Sequence, residues 1–151
     1  MLISGPSGVG KDAILERLVQ RSPSIYVAVT ATTRAPRPGE KNGVDYHFVS
    51  NEAFQEMIEK ELLLEFAKVY GNMYGVPKDP ITEALSDGRD VALRTDVQGA
   101  ETIKRKVKDT ILIFVTPPSL TSLESRIQSR KADTSEEMNR RLQEAAHEID
   151  Q

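Results

Sequence analysis

Residues 5 to 12 read Gly-Pro-Ser-Gly-Val-Gly-Lys-Asp. Gly5, Gly8 and Gly10 give the backbone freedom for a loop whose N–H groups point inward, with Pro6, Ser7 and Val9 between them, and Lys11 adds a full positive charge. That chemistry suits the oxygens of a triphosphate, and a helix starting directly behind the loop adds its own positive potential. In the pattern G-x-x-x-x-G-K a Ser or Thr follows the lysine and offers its hydroxyl oxygen to Mg²⁺. Here Asp12 stands instead and brings a negative charge toward a polyanion. A compensating cation is expected. Arg94, in the run Val91-Ala92-Leu93-Arg94-Thr95-Asp96, is the candidate: an Asp12–Arg94 pair would restore charge balance and leave Asp12 aimed at Mg²⁺, directly or through water. The alternative is an Arg94 that points to solvent at a strand end. A second constellation lies in TTRAPRPGEKNGVDYHF, residues 32–48. Arg34 and Arg37 sit three apart in a proline-stiffened loop, followed by Glu40 and Tyr46. Two guanidinium forks held rigidly grip one phosphate bidentately, and a tyrosine hydroxyl adds a third donor. Two phosphate grips imply two nucleotides.

These groups need a scaffold, and the rest of the chain describes one. At 151 residues, with 38% apolar and 28% charged, the chain suits one ordinary domain. Strand-like apolar runs at Met1 to Ser4, Ile25 to Thr30, Val91 to Thr95 and Ile111 to Thr116 read as buried parallel strands. Helical patterns lie between them: Ile14 to Val19 after the glycine-rich loop, Ile81 to Leu85 behind Pro77 and Pro80, and Met138 to Ile149 behind a capping box at Thr134 to Glu137. Alternating strand and helix argue for a parallel α/β sheet. Residues 31–76 break that rhythm, with Tyr46 to Val49 and Leu63 to Tyr70 as strands around a helix at Glu52 to Glu61, and read as an inserted subdomain. Arg126 to Arg141, with four Arg, one Lys and few apolar residues, reads as a lid. A net charge of −3 gives no overall attraction to nucleic acid or anionic membrane. The absence of Cys excludes disulfides and thiolate metal sites. No apolar run approaches the roughly 20 residues that span a bilayer. The expectation is a cytoplasmic monomer that binds neither nucleic acid nor membrane.

Four segments, SGPSGVGK, TTRAPRPGEKNGVDYHFVS, YGNMYG and DVQGA, resemble successive signatures of the guanylate kinases in order and spacing, over essentially the whole chain. The resemblance implies an α/β fold: a P-loop NTPase core with a parallel sheet flanked by helices (residues 1–30, 77–125 and 142–151), an inserted mixed α+β GMP-binding subdomain (31–76) and a helical lid (126–141). It implies phosphoryl transfer from Mg²⁺-bound ATP to GMP, with no permanently bound cofactor. ATP would be held by Gly5 to Asp12 with Arg126 and Arg130. The GMP phosphate would be held by Arg34, Arg37, Tyr46 and Tyr74, and the guanine edge read by Glu65 and Asp96, with Thr30 and Glu40 lining the site. Two carboxylates suit guanine, which presents two donors, N1–H and the 2-amino group, where adenine offers neither. Such a site discriminates by on the order of 10⁴. Taken singly, Glu65 also reads as an edge-strand charge and Asp96 as a helix cap. Lys11, Arg34, Arg130 and Arg141 would stabilise the charge on the transferring phosphoryl group; Arg126 and Arg130, four apart, share a helix face.

The chain departs from the family pattern at Asp12, at Arg94, at Val76 where many members have a serine near guanine O6, and at Lys131-Ala132 in place of a glycine-containing lid turn. Thr30 or a backbone N–H is expected to cover O6. The family continues past the last helix into a further strand and helix, so the core is expected to be incomplete. Domain closure is expected, with hinges near residues 31 and 76. Two competing readings are a kinase of the ribose 1,5-bisphosphate type, which shares the Lys-Asp loop, and a non-catalytic guanylate-kinase-like module that binds phosphorylated partners. The insert signatures oppose the first and the intact loop with Lys11 opposes the second.

Overall fold

The computed structural model describes residues 1–69, 71–129, 142–146, 148 and 149. Two four-stranded sheets organise it. The first is entirely parallel, in the order β2 (Tyr26–Val27), β7 (Val91–Arg94), β1 (Leu2–Ser4), β8 (Leu112–Phe114). Its central strands are apolar on both faces because helices cover both, as parallel sheets require. Leu2, Val91 and Leu93 point to one face and pack against Ile81 and Ala84 of α3 (Asp79–Ser86) and Ala100 and Ile103 of α4 (Val97–Lys106). Ile3 and Ala92 point to the other, against Leu15 and Leu18 of α1 (Lys11–Arg21). A third cluster joins Val9 of the glycine-rich loop to Leu123 of α5 (Leu120–Ser129) and to Ala145, fixing the loop from behind.

Edge strand β8 departs from the expected burial. Leu112, Ile113 and Phe114 are 44, 43 and 38% exposed. The strand pairs with β1 on one side, and among the described residues nothing closes over its apolar side chains. The expected strand Ile25 to Thr30 is also cut short. After Ala28, whose N–H still donates to Ala92 O at 3.0 Å, the chain leaves this sheet, and Thr30 O accepts from His47 N at 2.9 Å in the second.

That second sheet has the order β4 (His47–Phe48), β3 (Ala31–Thr32), β6 (Asn72–Pro77), β5 (Leu63–Val69). It is mixed: β3 runs parallel to β4 and antiparallel to β6, and β5 and β6 form a hairpin. Helix α2 (Asn51–Glu59) is capped by Ser50, whose Oγ accepts from Ala53 N at 3.1 Å, and it drives Phe54 into a core with Ala31 and Leu63. Strands β3 and β6 and helix α4 were not expected from the sequence. The capping box at Thr134 to Glu137 and most of the expected lid lie outside the described residues. In β6, Val76 is buried in the first sheet's core and presents no hydroxyl to the cleft.

Candidate active site

Parallel strands discharge their loops at their carboxyl ends, where ligands of such sheets bind. Three neighbouring strands do so here side by side: β1 into the glycine-rich loop, β7 into Thr95 and Asp96, and β2 into Ala28 to Thr30. Together with the second sheet they enclose an open cleft of about 1370 Å³.

One end of the cleft is the glycine-rich loop. Gly5 has φ 136°, and a Cβ there would lie 2.2 Å from Val115 O, so both conformation and space demand glycine. Gly10 enters α1 in the left-handed region and supplies no side-chain cap, which leaves the first N–H groups of the helix for an anion. Lys11 folds back over the loop, donating from Nζ to Gly5 O at 2.5 Å and Pro6 O at 3.0 Å. Burial lowers its pKa to about 8, with Glu148 and Asp12 acting in the opposite direction. A phosphate in the loop would offer that ammonium a better partner than two carbonyls. Arg126 of α5 donates to Val9 O at 2.8 Å and so stands at this loop, where the resemblance puts it. Arg130 and Arg141 lie outside the described residues.

The middle of the cleft is the arginine loop. Thr32, fully buried, donates from Oγ1 to Met73 O at 2.9 Å and accepts from Arg34 N at 3.2 Å, which fixes the loop's start. Glu40 then organises both arginines: its carboxylate accepts from Arg34 Nη2 at 2.8 and 3.0 Å and from Arg37 N at 2.7 Å. These bonds hold the Glu40 carboxyl below its usual pKa against the opposing effect of burial. Glu40 therefore acts as the brace of the grip, a role the sequence did not reveal. The Arg34 guanidinium lies 5.2 Å from the Tyr46 ring centroid, and Tyr46 meets Tyr74 edge-on at 6.1 Å. Burial raises the Tyr46 phenol pKa, which keeps the hydroxyl a donor.

The floor holds Glu65 of β5 and Asp96, with Thr30 nearby on the cleft wall. Glu65 is 5% exposed, and burial, followed by the Asp96 charge, raises its pKa to about 7. Asp96 is the N-cap of α4, accepting from Gly99 N at 2.7 Å through Oδ1, so the helix-cap reading holds alongside its place in the cleft. Gly99 leaves room for Thr95 and both acids to pack against it: a Cβ there would fall 2.1 Å from Thr95 Oγ1, 2.9 Å from Glu65 Oε2 and 3.0 Å from Asp96 Oδ1. The D-V-Q-G spacing carried a signal for Gly99, but its role depends on contacts the sequence does not display. Glu148, also on the cleft wall, gave no signal at all.

Arg94 does pair with Asp12. Its Nη1 donates to Asp12 Oδ1, its Nη2 donates to Asp45 O at 3.1 Å, and its Cζ sits 4.5 Å from the Tyr46 ring centroid. The solvent-facing alternative for Arg94 is excluded, since its side chain is only 19% exposed.

Fold and cleft define a mixed α/β protein in which a glycine-rich loop behind the first parallel strand, an arginine loop and a pair of acids line one shared space. The profile of the guanylate kinase family matches residues 1–151. The chain is 45% identical to the guanylate kinase of Synechococcus sp. (strain JA-3-3Ab), covering 99% of this chain and 69% of that protein. It is 48% identical to that of Gloeobacter violaceus (99% and 73%) and 44% identical to that of Trichodesmium erythraeum (99% and 81%). The crystal structure of guanylate kinase from Anaplasma phagocytophilum superimposes with a TM-score of 0.78 at 34% identity, covering 99% of this chain and 69% of that one. The chain belongs to the guanylate kinase family. No helix among the described residues is long and apolar enough to cross a membrane.

Proposed function

We propose that the protein transfers the γ-phosphoryl group of Mg²⁺-bound ATP to GMP, giving ADP and GDP. The observation that carries this reading is the buried Glu65 beside Asp96, set in the same cleft as the glycine-rich loop and the Arg34 loop. The loop and Lys11 hold the β- and γ-phosphates of ATP. Arg34, Arg37, Tyr46 and Tyr74 hold the phosphate of GMP, and Glu65 and Asp96 accept from guanine N1–H and the 2-amino group, with Thr30 at O6. A phosphate oxygen of GMP attacks the γ-phosphorus while the bond to the ADP oxygen breaks. The attacking group is already anionic, so no general base is needed, and catalysis is positioning plus charge stabilisation by Lys11, Arg34, Arg130 and Arg141.

The donors present fit Mg²⁺, which takes one or two carboxylates together with substrate phosphates. Asp12, in the first turn of α1 beside the loop, has its side chain 53% exposed and would hold the ion directly or through water. When bound, the ion neutralises charge between the β- and γ-phosphates. The test is ADP formation from ATP and Mg²⁺ with GMP, AMP, CMP, UMP and ribose 1,5-bisphosphate offered separately. Turnover is expected with GMP and its loss on chelation with EDTA. Absence of turnover with GMP overturns the reading, and turnover with ribose 1,5-bisphosphate in its place assigns the other kinase class.

A further inference from the structure

We propose that Arg94 is a positioning residue that couples the two nucleotide sites, transmitting the placement of Asp12 on the ATP side to Tyr46 on the GMP side. The inference rests on the reading above. Arg94 ends β7 opposite Ile3 of β1, two residues before the glycine-rich loop begins. From there one guanidinium meets three groups in two parts of the molecule. Nη1 holds the Asp12 carboxylate at the first turn of α1; Nη2 holds the Asp45 carbonyl, and the planar face covers the Tyr46 ring at 4.5 Å, both in the segment before β4.

The contacts continue beyond Tyr46. The same ring meets the Arg34 guanidinium at 5.2 Å, and Arg34 is braced by Glu40. The result is a continuous charged and aromatic chain, Asp12–Arg94–Tyr46–Arg34–Glu40, running from the phosphate loop to the acceptor grip. The link is short and has a defined failure mode. A guanidinium with little solvent needs its partners, so removing Asp12 leaves Arg94 to reorient, and Tyr46 loses the plate beneath it. Lysine cannot substitute, because a point charge on a flexible stem does not offer two edges and a face at once.

The test is a double-mutant cycle on the full chain, pairing Asp12→Asn with Tyr46→Leu, in the Arg94 and Arg94→Met backgrounds, with Arg94→Lys as a milder variant. Thermal melts check folding. The readouts are kcat/KM for GMP and the GMP dissociation constant with and without a non-hydrolysable ATP analogue and Mg²⁺. With Arg94 present, the two substitutions are expected to be non-additive by about fivefold or more, and in Arg94→Met additive within about twofold. Arg94→Lys is expected to weaken the coupling while retaining the fold. A merely structural role for Arg94 would lower activity in every background and leave the coupling factor unchanged. An additive cycle in the parent, or an unchanged coupling in Arg94→Met and Arg94→Lys, overturns the proposal. A parent that binds and phosphorylates no GMP overturns the functional reading instead, and this inference falls with it.

Discussion

The two ends of the cleft are built in opposite ways. The glycine-rich loop is one contiguous stretch between β1 and α1, and most of its donors are backbone N–H groups. The end proposed for GMP is drawn from separated segments: Arg34 and Glu40 before β4, Glu65 in β5, Tyr74 in β6 and Asp96 after β7. The first depends on local backbone geometry, the second on side chains carried into place by packing. A contiguous site is therefore sensitive to its own residues and tolerant of distant change, whereas an assembled site fails when any of its supports moves.

That contrast can be broken most severely at Lys11. Lys11→Ala is expected to lower kcat/KM by about 10³-fold, a size typical of losing one preorganised charge partner of the transition state, while GMP affinity by calorimetry stays unchanged. A parallel loss of GMP affinity would show that the two ends are not separable. Next in size is Phe54→Ala, which removes a side chain 1% exposed from the second sheet's core. Chemical denaturation is expected to show a loss of about 3–5 kcal/mol. Below the midpoint, GMP binding should fail at lower denaturant than ATP-analogue binding.

Gly99→Ala probes the assembled end directly. The added methyl overlaps Thr95 Oγ1 and presses on Glu65 Oε2 and Asp96 Oδ1, so Thr95 must move and the Glu65 carboxylate shift from its place. The expected result is a GMP affinity lower by about 10- to 100-fold with ATP affinity intact, the cost of misplacing hydrogen bonds to charged groups. The smallest effect is on pH. In the proposed site guanine needs Glu65 as a carboxylate, and burial raises its pKa to about 7, so GMP binding is expected to strengthen as pH rises from 6 to 8. Glu65 accounts for release of about half a proton at pH 7, read from calorimetry in two buffers. Glu65→Gln should remove that component and leave only the titration of the GMP phosphate itself.

Much of the frame was legible in the sequence. Helix α1 followed from its apolar spacing behind the loop, α2 matches the helix expected at Glu52 to Glu61, and α3 followed from its apolar pattern and Pro80 in its first turn. Helix α4 was missed because Gln98-Gly99 and the Lys-Arg-Lys end mask the Ala100 and Ile103 face, although Asp96 was a readable cap. Strand β6 was missed because Gly75 and Pro77 weaken its strand character; the hairpin partner β5 supplies what propensity lacks. The apolar run at β8 predicted burial that the sheet edge does not provide among the described residues, since an apolar side chain is buried only when another element covers it. In the cleft, charge balance pointed from Asp12 to Arg94. Nothing local indicated that Arg94 also meets Asp45 and Tyr46.

The sequence alone determined the phosphate loop, because glycine placement, the lysine and the strand-to-helix context act over neighbouring residues and leave the backbone few choices. It also determined the rigid, doubly charged arginine loop. Only the tertiary structure decided that both open onto one cleft, that Glu40 braces Arg34 as well as lining the site, and that Gly99 lets Glu65 and Asp96 share a floor. The physical reason is the strand order, β2-β7-β1-β8, which sets the carboxyl ends of β2, β7 and β1 side by side, and no local spacing encodes that neighbourhood.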